Sequence, residues 1–338
     1  MEHNSEFEYQ LFDGGRGNGL LNPKIDPIFK SMFTQNTKES KKALSSFLGA
    51  IFNQPIEDLE VGKNEIPIES ERDKQSIFDI TCTLKNQQQV INIEMQAMSN
   101  SGAFDNRSEY HVGHLLNHYV HRGTPWIKVP QAYMISVLNF VYDKNSQDYF
   151  SWYTMRKDNG DELKSKRMNI IYLELPKLFE KNDEDPKFLT SIERWGKFLL
   201  YANQPEKVDY VRTLIKSEEG IMNAQSVLNE ISQSDEEWRR ERDYIDAVNT
   251  ELSVRLYAEQ QGHADGLAQG IAEGLEEGLA KGRAEGLEKG LAEGLAQGRA
   301  EGDKSAKLEI ARNLLARGFS KDETAELTGL SLQEPASL

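Results

Sequence analysis

One cysteine, Cys82, stands in 338 residues. No disulfide can form within such a chain, and a reducing cytoplasm is the expected compartment. Cys82 falls on the apolar side of an alternating run, the place of a small core residue rather than a nucleophile. Long apolar runs are missing as well. No stretch approaches the ~18 residues of a membrane helix, and the acidic, polar start lacks the apolar core of a signal peptide. Residues 1–21, with Gly14, Gly15, Gly17 and Gly19, read as a flexible leader. Positive charge is in deficit: 40 Lys and Arg against 55 Asp and Glu leave a net charge of -15. That balance argues against strong nonspecific binding to nucleic acid, because phosphate contacts supply most of that affinity. Lys24, Lys30, Lys41, Lys42, Arg107, Arg122 and Lys128 could still cluster locally and give a weak, salt-sensitive contact. The length fits one main domain with appendages.

Two alternating runs carry the most information. Ser76-Ile77-Phe78-Asp79-Ile80-Thr81-Cys82-Thr83-Leu84 is followed by a polar Asn86 to Gln89 turn and then by Val90-Ile91-Asn92-Ile93-Glu94-Met95-Gln96. A period of two predicts paired, half-buried strands. Phe78, Ile80, Cys82 and Leu84 share the apolar face of the first strand, and Ile91, Ile93 and Met95 that of the second. Asp79 falls on the polar face of the first strand, and Asn92, Glu94 and Gln96 on that of the second. A two-residue turn at Asn86-Gln87 sets Asp79 directly across from Glu94, with Cβ atoms ~5 Å apart. Two carboxylates that close repel unless one is protonated or a cation lies between them. A hard divalent ion, Mg²⁺ or Mn²⁺, suits oxygen ligands. The plainer reading, acids on the wet face of an antiparallel sheet, stays open beside it.

At these residues the chain resembles the PD-(D/E)XK nuclease superfamily, and more narrowly is similar to the Rpn family of recombination-promoting nucleases, often labelled transposases. Three segments carry the resemblance: Asn22 to Phe33, with Asp26, Phe29 and Lys30 in an Asp-x-x-Phe-Lys pattern; Phe78-Asp79-Ile80; and Ile93-Glu94-Met95-Gln96. It covers roughly residues 22–235. It implies an α/β fold with a restriction-endonuclease-like mixed central sheet flanked by helices. It also implies metal-assisted DNA cleavage, with Asp79, Glu94 and the Met95 carbonyl as metal ligands. The lysine usual in the superfamily is Gln96 here, as is common in the Rpn family, so Gln96 would orient the attacking water. Asp26 is either a further active-site carboxylate or a helix N-cap, since Asp before Pro marks a helix start. Lys30 is a candidate phosphate contact.

A helix is expected from Phe104 to His121. Arg107, His111, His114, His118 and His121 step by four and three along one face. His114 and His118 have the spacing of a metal pair, but no His-Glu-x-x-His glutamate accompanies them. A polar face packed over the sheet and a border of the active site are the other readings. The family's equivalent helix carries an Arg and a Tyr, which Arg107 and Tyr110 match. Arg107 is the best candidate for phosphate, because a guanidinium forks onto two oxygens. Strands are expected at Ala132–Tyr142, Tyr149–Met155 and Asn169–Leu175, the last closed by Pro176, with helices from Pro186 onwards. Trp195 with Phe198, Leu199 and Tyr201 reads as helical packing.

Glycine recurs every fourth residue from Gly262 to Gly302, with good helix formers between. Eleven glycines cost a helix about 9–11 kcal/mol against alanine, so a lone helix is expected only with a neighbour close against them. Four residues turn ~400°, which drifts the glycine stripe and favours a right-handed wrap. Regular charges exclude a membrane span. The segment from 236 to 302 reads as a homo-oligomeric stalk, with a fraying helix as the alternative. Residues 303–338 form a small helix-turn-helix-like cap: helix, turn at Arg317-Gly318-Phe319, helix Lys321–Leu327, and a third start at Gly329-Leu330-Ser331. With Asp322, Glu323 and Glu326 exposed, a packing cap fits better than a DNA reader. The rivals to a nuclease are a nuclease fold kept for DNA binding or regulation, and a helical assembly scaffold.

Overall fold

The computed structural model describes residues 18–62, 80–84, 88–97, 104–179 and 183–331. Asp79 and the turn residues Asn86 and Gln87 lie outside them, as do residues 1–17 of the expected leader. The described residues fall into two units that meet in sequence between Leu252 and Ser253.

In the first unit, α1 (Asp26–Thr34) opens with Pro27 in its first turn, where a missing N–H costs nothing. Its N-cap is Ile25, with no side-chain capping bond, so the N-cap reading of Asp26 does not hold. α2 (Lys38–Phe52) is capped by the Thr37 side chain, which accepts the Ser40 N–H, and ends at Asn53 in the left-handed conformation. Among the described residues six strands follow: β1 (Leu59–Val61), β2 (Ile80–Leu84), β3 (Gln89–Gln96), β4 (Gln131–Leu138), β5 (Phe150–Thr154) and β6 (Met168–Glu174). They form one sheet in the order β1-β2-β3-β4-β6-β5. The β3–β4 and β4–β6 pairs are parallel and the others antiparallel. A parallel β3–β4 pair needs a crossover, and α3 (Phe104–His118) supplies it.

The β2–β3 register is the expected one: Ile80 pairs with Ile93 and Leu84 with Gln89. Ile80, Cys82, Leu84, Ile91, Ile93 and Met95 all enter the main core, beneath α1, α2 and α5 (Ser191–Tyr201). α6 (Val208–Ser217) and α7 (Glu219–Ile231) add a further layer to it. Trp195 is fully buried there against Phe33, Phe47 and Phe198, as helical packing required. The opposite face is not wet. α3 lies on it, burying Val112 and Leu115 against Val90, Ala132 and Met134. The polar parity of β3 is therefore inside the protein.

β4 stops at Leu138 rather than running to Tyr142. β3 ends at Gln96, whose carbonyl takes the Asn139 N–H as a last rung. The Tyr142 and Asp143 N–H groups then turn to Glu174 Oε2, while Lys177 donates to Oε1 at 2.8 Å. After β6 the chain passes directly into the short helix α4 (Leu175–Phe179), with Pro176 in its first turn.

α8 (Asp235–Ala316) begins in the first unit. Trp238 and Ile245 join the main core, and Val248 and Leu252 are buried. The core unit thus extends to Leu252 instead of closing at 235, because the first turns of α8 are amphipathic and packed. The second unit holds the rest of α8 and α9 (Lys321–Thr328). The helix expected to begin the cap at Ala306 is the end of α8 itself. Gly318, at φ 93°, makes the turn; Ser320 and Glu323 form a capping box; and Gly329 closes α9 in the left-handed conformation. Around the glycine ladder, an added Cβ at any position from Gly262 to Gly302 would meet nothing within 4 Å. Leu267, Ile271, Leu275, Leu279, Leu287, Leu291 and Leu295 are each more than half exposed.

Candidate active site

Glu94 is the centre of a polar cluster between β3 and α3. Its alternation with Ile93 and Met95 turns it away from the main core, and α3 closes over it, leaving the residue 1% exposed. Asn92 Nδ2 donates to Oε1 at 3.2 Å, and Gln96 Nε2 donates to Oε2 at 2.9 Å. Period two along β3 is what brings these three side chains together. From α3, one turn apart, Arg107 Nη2 reaches Oε2 at 3.4 Å and His111 Nδ1 stands 3.5 Å from Oε1.

Burial pushes the Glu94 carboxyl up to about 7, against the pull of Arg107, Asn92 and Gln96. The negative charge of Asp26, on the helix α1 that packs on β3, adds to the rise. Burial, with help from Arg107 and His114, pushes His111 down to about 4, so it is neutral at pH 7.

The structure therefore brings Glu94, Gln96 and Arg107 together, with Asp26 near enough for its charge to act on Glu94. Lys30 is half-buried one helical turn beyond Asp26. Tyr110 is 41% exposed and lies parallel to the His114 ring at 5.8 Å, so it stands at the rim and not against Glu94. The Met95 side chain is in the main core. Its carbonyl is set by the ladder: Gln131 N–H donates to Gln88 O, and Asn139 N–H to Gln96 O. Even-numbered carbonyls of β3 thus face β4, and the Met95 carbonyl faces the β2 side, past the last described β2–β3 pair. Asp79 lies outside the described residues.

Among the described residues no three His, Cys, Asp or Glu side chains gather to hold a metal, so the zinc reading of His114 and His118 gains nothing. Of the expected ligands, the Glu94 carboxylate is the oxygen donor that the cluster itself holds, a kind that suits a hard divalent ion, and the Met95 carbonyl lies in the plane of the sheet towards the β2 side. Sequence reasoning placed Asn92 on the right face without giving it a role, and named His111 only as one of a stripe, where its contact with Glu94 now sets it at the border of the site. Only the depth of burial under α3 distinguishes them.

A family model described as PD-(D/E)XK nuclease family transposase matches residues 23–250. A second, described as Rpn/YhgA-like nuclease family, C-terminal HTH domain, matches residues 304–338. No curated protein and no solved structure matches the chain. Among the described residues, no helix is long and apolar enough to cross a membrane.

Proposed function

Because the chain belongs to the PD-(D/E)XK nuclease family of transposases, we propose that it is a metal-dependent DNA endonuclease that hydrolyses phosphodiester bonds. Glu94 carries this reading. A carboxyl 1% exposed, pushed up to about 7 by burial and further opposed by the charge of Asp26, is costly to ionise without a cation. Asp79, Glu94 and the Met95 carbonyl would hold Mg²⁺ or Mn²⁺, with Asp26 as a further carboxylate. Such an ion, when bound, lowers the pKa of a water and neutralises charge on the phosphate oxygens.

The remaining work falls to the chain's own side chains. Gln96, donating to Glu94 at rest, orients the attacking water. Arg107, 39% exposed at the mouth, forks onto two phosphate oxygens. Lys30 adds a cation from α1, and Tyr110 meets the backbone further out. His111 stays neutral and contributes no charge.

Residues 262–302 are assigned to homo-oligomerisation. Bare glycines beside a row of exposed leucines leave a surface that a second helix can approach closely. Residues 303–338 are assigned as a packing cap, because α9 has eight residues and exposes Asp322, Glu323 and Glu326, charges that a phosphate backbone repels; the HTH family match over 304–338 supports a DNA contact as the second reading. The rival reading, a fold kept only to bind or regulate, draws on the net charge of -15. The test is supercoiled plasmid with Mg²⁺ or Mn²⁺. Nicking that stops with EDTA and in Asp79→Ala supports the nuclease, and equal cutting by wild type and variant counts against this site.

A further inference from the structure

In a chain with 55 acids among 338 residues, the 33 residues from Tyr110 to Tyr142 contain none, yet hold four histidines, Arg122 and Lys128. The centre of this stretch is the connection from α3 to β4. Its tip is a 3-10 turn at Trp126–Lys128 in which Trp126 is 85% exposed and Ile127 80% exposed. Large apolar side chains this bare, side by side, are a contact surface rather than a packing accident.

The tip is built, not loose. Thr124 N–H donates to His121 O at 2.9 Å, and the Thr124 hydroxyl accepts the His121 N–H at 3.2 Å. Lys128 N–H donates to Pro125 O at 2.8 Å, and Val129 and Pro130 behind it are buried. Arg122 and Lys128 flank the tip, both exposed, with no acidic partner among the described residues. Arg167 adds charge from the turn before β6, where its carbonyl takes the Ala132 N–H at 2.7 Å. An apolar tip ringed by cations fits an anionic partner with stackable faces.

The tip also shares an element with Glu94. α3 carries Arg107 and His111 over that carboxylate and rises ~1.5 Å per residue towards His118 and the tip. Gln131, just behind the tip, pairs with Gln89 at the start of β3, and Glu94 stands five strand positions further on, so at ~3.3 Å per residue the tip is roughly 15–20 Å from Glu94, about five base pairs at 3.4 Å each. We infer that Trp126 and Ile127 form a wedge that inserts at a base step of the DNA duplex, with Arg122 and Lys128 on the flanking phosphates, about five base pairs from the bond cut at Glu94. The wedge rests on the nuclease reading and gives it a second hold on the duplex. Apolar wedges of this kind exchange stacking for a bent, better-covered duplex.

The test is duplex binding by the full chain, in EDTA and again in Ca²⁺, across a salt series. Trp126→Ala/Ile127→Ala should weaken binding about tenfold or more with an unchanged salt slope. Arg122→Gln/Lys128→Gln should lower the slope by about two. A duplex with 2-aminopurine near the fifth base pair should brighten with wild type and not with Trp126→Ala/Ile127→Ala. These side chains are on the surface, so an unchanged thermal melt excludes misfolding. Plasmid nicking by wild type with normal duplex binding by Trp126→Ala/Ile127→Ala overturns the wedge alone. Loss of an oligomer by that variant, with DNA affinity intact, also overturns it and gives the tip to a second copy. If wild type neither nicks nor binds, the nuclease reading fails and the wedge with it.

Discussion

Replacing Glu94 by glutamine tests the electrostatics of the site without touching its shape. Glutamine keeps the length of the side chain and mimics the protonated acid. In the wild type the carboxyl ionises at about 4.5 when exposed and at about 7 in the folded protein. The folded state therefore binds more protons between these values, and this group's contribution is greatest below pH 4.5 and declines as pH rises towards 7. The difference of about 2.5 units at 1.36 kcal/mol each is roughly 3 kcal/mol. Glu94→Gln should be about that much more stable relative to wild type at pH 8 than at pH 4.5, in EDTA. His111 runs the other way. Its folded value of about 4 lies below its ordinary 6.5, so its contribution grows as pH rises from 4 to 6.5. The two slopes nearly cancel in the wild type between pH 4.5 and 6.5, and the variant should expose the rising limb. Urea melts of both proteins at pH 4.5, 6.5 and 8 measure this. Equal differences at all three pH values would refute a buried, cation-poor Glu94.

Other perturbations reach other parts of the account. Lys177→Met leaves Glu174 buried without its cation, its side chain being 1% exposed, and should cost ~3–5 kcal/mol in urea unfolding. Arg107→Ala should lower the cleavage rate and move Glu94 to still higher pKa, readable as an alkaline shift of the pH–rate profile. Alanine at Gly278, Gly282 and Gly286 should add ~0.8–1 kcal/mol each to an isolated helix. In the proposed stalk it should instead disrupt close packing and reduce the mass seen by light scattering. An unchanged mass with a higher melting temperature would contradict the stalk.

The strand pair was legible because both runs alternate without a break; apolar parity sets which faces pair, and the assumed two-residue turn at Asn86-Gln87 selects the Ile80–Ile93 register that the sheet shows. What alternation cannot say is whether the other face is covered. The polar side chains Asn92, Glu94 and Gln96 look wet in sequence, and α3 buries Asn92 and Glu94 and leaves Gln96 half-buried at the end of their network. Asp26 read equally as an active-site carboxylate or as a cap, because Asp-Pro commonly starts helices. Here Ile25 takes the cap position, and the Asp26 charge acts on Glu94 instead. The core's reach into α8 was hidden by the charged residues between Trp238, Ile245 and Leu252, whose spacing is helical but sparse.

The most direct measurement is Mn²⁺ binding by electron paramagnetic resonance on the full chain, with plasmid cleavage followed in the same samples, for wild type, Glu94→Gln and Asp79→Ala. The account predicts that wild type binds Mn²⁺ and cuts, and that each substitution removes both together. Cleavage that survives in Glu94→Gln, or Mn²⁺ bound as tightly by both variants as by wild type, would contradict it.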